Sequence, residues 1–183
     1  MTTSELEQAL YEFIQPSYPE IDIKVIIDDK GIPNIYFTEE KFKELYPKQR
    51  YHYLIHKIPE DFFELYLKKS FWFELAPGES PEDLYYHDDE TIESIKEPII
   101  SILQKKIPFV MQLDKEFTSG AAQCFGDFRH SKKLLAELGY AGKEEQFDIF
   151  HVLMNEGGYC DCEILFNVFS DSEYAKQYWS TRQ

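Results

Sequence analysis

Between Ile21 and Ile27 the chain reads IDIKVII, with Ile21, Ile23, Val25 and Ile27 alternating against Asp22, Lys24 and Ile26. A period of two marks a strand with one buried face, and that demand shapes everything around it. Asp29-Lys30-Gly31 reads as a turn and NIYFT as a returning strand, so a hairpin is predicted. SFWFELAP alternates again and supplies a third strand, followed by the turn GESPED. Such a small sheet needs a helical cover. Ser4–Ile14 reads as a helix capped by Ser4, with Leu6, Ala9, Leu10 and Phe13 on one face and Pro16 and Pro19 ending it. Lys41–Leu45 forms a short helix stopped by Pro47, and PKQRYHYLIHKIPEDFFELYLKK holds two helical pieces divided by Pro59.

The segment YYHDDE, Tyr85–Glu90, separates this region from a mostly helical remainder. ETIESIKEPIISILQKK reads as a helix that Pro98 opens or kinks, and IPFVMQL as a short apolar strand or buried connector. Helices follow over Phe128–Leu138, ended by Gly139, and Lys143–Glu156, ended by Gly157. Asp161 is placed as the cap of another over Cys162–Phe169, and Ser172–Thr181 as the last. The expected fold is α+β: residues 1–88 a three-stranded sheet with helices, residues 89–183 a small, mostly helical domain packed on it.

With 34 acidic against 19 basic side chains and a net charge of −15, the chain lacks the clustered cations that nucleic-acid binding requires. The charge is uneven: residues 1–90 carry 20 acidic and 9 basic groups. That suits either a basic protein partner or a surface tuned for solubility. No apolar run approaches the roughly 18 residues of a membrane span. MTTSELEQAL has neither the basic start nor the apolar core of a secretory leader. Three cysteines make no disulfide framework, and the expected location is cytoplasmic.

The element order of residues 1–86, with Gln49-Arg50 opening a helix and Ser80-Pro81-Glu82-Asp83 closing a strand, resembles the BolA-like fold, related to the KH type II topology. That resemblance implies a partner role with monothiol glutaredoxins in iron–sulfur handling. The chain departs from the family at Ala76-Pro77, where the resemblance would place a metal-ligating histidine, and DDKGIPN offers neither His nor Cys. The second half, over Gln123–Val168, resembles a bacterial domain family of unknown function with a GGYCDCEVL-type ending. Cys160-Asp161-Cys162-Glu163, Asn167-Val168, Cys124, Arg129-His130 and LLAELGY carry the likeness. It implies no activity.

Cys124, His130, Cys160 and Cys162 form the inventory of a zinc or iron site, although a one-residue gap between paired ligands fits no common finger. The alternatives are a reactive thiol pair, with a helix start favouring a thiolate at Cys162, and plain buried packing. His151 reads as a hydrogen-bonded core residue, His52 and His56 as a structural or surface pair, and Glu74 and Glu79 as surface charge. In FFELYLKKSFWFEL, Phe62, Phe63, Tyr66, Phe71, Trp72 and Phe73 cannot all face one core, so some are expected to meet the second domain or a partner, with partner contacts near Phe71–Phe73. No nucleotide-binding glycine motif or hydrolase elbow occurs. The function expected is a non-catalytic binding or adaptor module without a catalytic set or cofactor, then a metal-binding protein holding zinc or iron, then a thiol-dependent enzyme.

Overall fold

In the computed structural model, which describes residues Met1–Thr181, α1 (Thr3–Ile14) is capped by Thr2 rather than by Ser4. The Thr2 hydroxyl accepts from Glu5 N–H while the Glu5 carboxylate receives Thr2 N–H, a reciprocal pair that satisfies two first-turn donors. Leu6, Leu10 and Ile14 are its buried stripe, and Ala9 and Phe13 sit at the margins.

The hairpin forms as its alternation demands. Strands β1 (Asp22–Ile27) and β2 (Pro33–Thr38) pair antiparallel, with Ile23 opposite Phe37 and Val25 opposite Ile35. The Asp28 carboxylate accepts from Lys30 and Ile32 N–H, and Gly31 adopts φ 78°, closing the turn. Ile27 departs from its expected place: at the hairpin end it is exposed, outside the core that Ile23 and Val25 join. On the outer edge of β1, Ile23 N–H donates to the Tyr11 hydroxyl and Val25 N–H to the Glu7 carboxylate, both from α1.

β3 (Phe71–Leu75) joins β2 in parallel, giving the order β1-β2-β3. A parallel neighbour requires a long crossover. Residues 39–70 supply it through a 3₁₀ turn (Glu40–Glu44), α2 (Pro47–Ile55), and α3 (Glu60–Phe62) with its π-helical continuation Phe63–Leu67. The core joins Leu6, Leu10 and Ile14 to Ile23, Val25, Ile35, Phe37, Phe42, Leu54 and Leu67. Arg50 and Gln49, met as a short motif in the sequence, have local duties: Gln49 Oε1 accepts from Tyr46 N–H, and Arg50 pairs with Glu79.

Met1–Tyr86 form one compact unit, and a second begins at His87. In the second, α4 (Asp89–Ser101) contains Pro98 and runs into a π-helical turn, Ile102–Lys106. The next element corrects the sequence reading: IPFVMQL is no strand or connector but opens α5 (Phe109–Thr118). Phe109, Leu113 and Phe117, each four residues from the next, are its buried stripe, a spacing that seven residues read alone do not reveal. α6 (Arg129–Glu137), α7 (Lys143–Asn155), α8 (Asp161–Glu163, continued as a π-helical turn to Val168) and α9 (Glu173–Ser180) complete the unit. The Phe128 and Phe150 rings stack at 4.4 Å between centroids. Among the described residues, no helix is long and apolar enough to cross a membrane.

Candidate metal centre

The geometry around GGYCDCEIL begins with how α7 stops. Gly157 turns left-handed at φ 87° and donates to Met154 O, while Gly158 N–H reaches back to Leu153 O at 2.8 Å. These two bonds satisfy carbonyls that the helix end leaves open. Gly158 has a second reason to lack a side chain. A Cβ there would lie 3.0 Å from Val168 Cγ2 and 3.2 Å from Ile164 Cα, so the chain passes directly against the turn that follows α8.

Asp161 does not cap its own helix, as the sequence suggested; Cys160 occupies that position without a side-chain cap bond. The Asp161 carboxylate crosses to α6, where Oδ2 accepts from His130 N–H at 3.0 Å and Oδ1 from Ser131 N–H at 2.9 Å. Asp161 N–H in turn donates to Asp127 O at 3.0 Å. The first turn of α6 is thereby completed by a residue thirty positions away, since Phe128 at its cap has nothing to offer. Asp161 is fully buried, and burial raises its carboxyl above the usual range against the hydrogen bonds that favour the ion.

This clamp brings the Cys-Asp-Cys corner against the loop between α5 and α6, which carries Cys124. Cys124 Sγ lies 2.9 Å from Cys162 Sγ and 3.5 Å from Cys160 Sγ, and the Cys160–Cys162 separation is 3.3 Å. Cys160 is buried, while Cys124 and Cys162 are half-buried. All three are free thiols. Among the described residues, they are the group of donor side chains close enough to share one ion.

His130 stands beside this group rather than in it. Its Nε2 lies 3.1 Å from Gln123 O, its Nδ1 3.7 Å from Glu116 Oε2, and its ring packs edge-on against Phe117 at 5.7 Å. The sequence inventory is thus brought together in three of its members, while the fourth is tethered to Gln123 and Asp161, the chain neighbours of those cysteines.

The three thiols divide their ionisation unevenly. Hydrogen bonding to Cys160, then to Cys162, holds Cys124 far below the usual thiol range. The same contacts with Cys124 push Cys160 and Cys162 up, and burial adds to both shifts. The direction of these shifts favours a thiolate at Cys124 over one at Cys162, where the helix start pointed. A one-turn helix offers little dipole, and Glu163 beside it opposes a second negative charge. Tyr174 of α9 borders the group, and burial first, with the neighbouring thiols adding to it, raises its phenol.

Residues 112–167 match a family described as Protein of unknown function (DUF2695). The matched segment holds all three thiols, His130, Glu116 and Asp161, and it extends eleven residues upstream of the likeness visible at Gln123. Neither the curated proteins nor the solved structures contain a match to the chain.

The remaining candidates occupy quieter places. His151 is buried in α7, with Nδ1 2.9 Å from Phe147 O. The rings of His52 and His56 lie 4.4 Å apart, and burial followed by the His56 charge lowers His52 to about 4. Glu79 is taken by Arg50, whereas Glu74 is buried rather than a surface charge. Of the aromatic run, Phe71 is exposed, Trp72 packs against the core and Phe73 stacks on Tyr36 at 5.0 Å.

Proposed function

We propose that the second unit is a zinc-binding module, with Cys124, Cys160 and Cys162 as thiolate ligands and His130 as the fourth donor. The observation that carries this reading is the convergence of three sulfurs from two distant segments on one point. Zinc–sulfur bonds of about 2.3 Å place sulfurs ~3.8 Å apart in a tetrahedral site, so the triangle, with edges of 2.9, 3.3 and 3.5 Å, would open around the ion, by about 1 Å along its shortest edge. A set of soft thiolates with one imidazole suits zinc. The buried Asp161 clamp supports the reading because it positions the ligand-bearing segments without itself supplying a ligand. The test is elemental analysis of the purified chain, with affinity measured by competition against a chromophoric chelator. One zinc per chain is expected, falling to none in Cys124→Ser; a native protein that fails to bind added zinc would remove the reading.

A second reading concerns the first unit, the more acidic half of the chain, where Leu65, Tyr66 and Phe71 are exposed. These side chains fit an adaptor role in which an apolar patch meets a protein partner, and the α-β-β-α-β order of that unit supports a relationship to the BolA-like fold. Phe71→Ser is expected to abolish such an interaction while leaving the unfolding midpoint unchanged.

A further inference from the structure

His130 is tethered to the thiol group at two points. Its backbone N–H is held by Asp161, which lies between Cys160 and Cys162, and its Nε2 faces the carbonyl of Gln123, which precedes Cys124. The other ring nitrogen, Nδ1, faces Glu116 Oε2 at 3.7 Å. The backbone carbonyl of Glu116 accepts from Ala122 N–H at 3.0 Å, so the end of α5 is fixed to the loop that carries Gln123 and Cys124. Phe117 and Phe125, at 5.7 and 6.3 Å between ring centroids, confine the imidazole. One nitrogen is thus turned toward the chain beside a thiol and the other toward a carboxylate. A carboxylate that closes from here to hydrogen-bond distance fixes the tautomer and orientation of a metal-binding imidazole and raises its basicity.

We infer that Glu116 is a positioning residue for the metal centre: it holds Nδ1 of His130 while Nε2 exchanges the Gln123 carbonyl for an ion held by the three cysteines. The inference rests on the zinc reading given above. A neutral imidazole has one N–H and one lone pair. Facing a carbonyl, Nε2 carries the proton. To ligate, Nε2 loses that proton and Nδ1 gains one, which Glu116 accepts as a hydrogen bond. The ring's net charge is unchanged, and the carboxylate stabilises the ligating tautomer. Neutral glutamine at position 116 accepts more weakly.

The experiment measures zinc affinity of the full chain by chelator competition for the native protein, Glu116→Gln, Glu116→Asp, His130→Ala and the Glu116→Gln/His130→Ala pair. Far-UV circular dichroism verifies that each is folded. Glu116→Gln is expected to lose about 10- to 100-fold in affinity, the range found when such a carboxylate is removed. It should lose nothing further in the His130→Ala background. Glu116→Asp should recover part of the loss. With cobalt(II) in place of zinc, His130→Ala and Glu116→Gln should shift the ligand-field bands, and Glu116→Asp should leave them near their native positions. Native affinity in Glu116→Gln, or an equal loss with and without the imidazole, overturns the role of Glu116. Zinc bound as tightly by His130→Ala as by the native chain overturns the inference and leaves a three-thiolate site standing. No zinc binding by the native chain overturns both readings.

Discussion

Arg50 grips Glu79 with two nitrogens, Nη1 to Oε2 at 2.5 Å and Nη2 to Oε1 at 3.1 Å, and directs its other bonds to the carbonyls of Leu45 and Glu74. One side chain therefore fastens the start of α2 to the end of β3 and to the turn behind it. Arg50→Ala leaves those acceptors unmatched in a buried setting and is expected to cost about 3 kcal/mol. Arg50→Lys should recover little, because a single ammonium cannot make the fork. Urea unfolding of each variant provides the measurement.

The carboxyls near this fork impose opposite pH dependences. Hydrogen bonding to Arg50 lowers Glu79, so its contribution is present above the ordinary carboxyl range and is lost as pH falls through its depressed pKa. Glu74 is raised to about 7, chiefly by burial, and its Oε1 has no hydrogen-bond partner among the described residues. The folded state then holds the Glu74 proton more tightly than the unfolded chain, and stability falls as pH rises from about 4.5 to about 7. Glu74→Gln should flatten that fall and stabilise the first unit at pH 8 by on the order of 1–3 kcal/mol. Unfolding curves collected from pH 4 to pH 8 test it; an unchanged slope would refute the assignment.

Removing the carboxylate that crosses between segments should affect both of them. Asp161→Ala strips the partners from His130 and Ser131 N–H and is expected to destabilise the second unit by about 1–3 kcal/mol. The same change should increase amide exchange at residues 130 and 131 and accelerate alkylation of Cys160, which the native corner buries. Hydrogen-exchange mass spectrometry and thiol labelling read the two effects separately.

Gly158→Ala asks for space that backbone occupies. Val168 Cγ2 and Ile164 Cγ1 can move, but Ile164 Cα at 3.2 Å cannot without shifting the turn after α8. A loss of about 1–3 kcal/mol is expected by thermal unfolding, as for other overpacked sites. Gly139→Ala, with nothing near its Cβ, serves as comparison: its cost comes from φ 96° alone.

The sheet was legible because Ile23, Val25, Ile35 and Phe37 obey a period of two, and the ends of α6 and α7 because Gly139 and Gly157 take conformations few other residues accept. α5 was hidden because its stripe is spaced by fours and extends past the apolar heptapeptide Ile107–Leu113. The thiol residues could be named from the sequence, and their convergence anticipated, but not the clamp behind it. Asp161 has the local appearance of a helix cap; only tertiary structure reveals that the helix it caps begins at Arg129. Glu116 carried no signal, since an acid on a helix in so acidic a chain has nothing to distinguish it until His130 is seen beside it.

The bonds from α1 to the outer edge of β1 bear on how the molecule behaves in a crowd. An open strand edge is a template on which another chain can add, the first step toward domain exchange or fibril growth. Here two of its outward N–H groups, at Ile23 and Val25, are already taken by Tyr11 and Glu7. A would-be strand must displace a helix that also carries Leu6, Leu10 and Ile14 in the core, and it must approach the carboxylate of Glu7 to do so. The helix that seals the hydrophobic layer thus also guards this edge of the sheet against self-association.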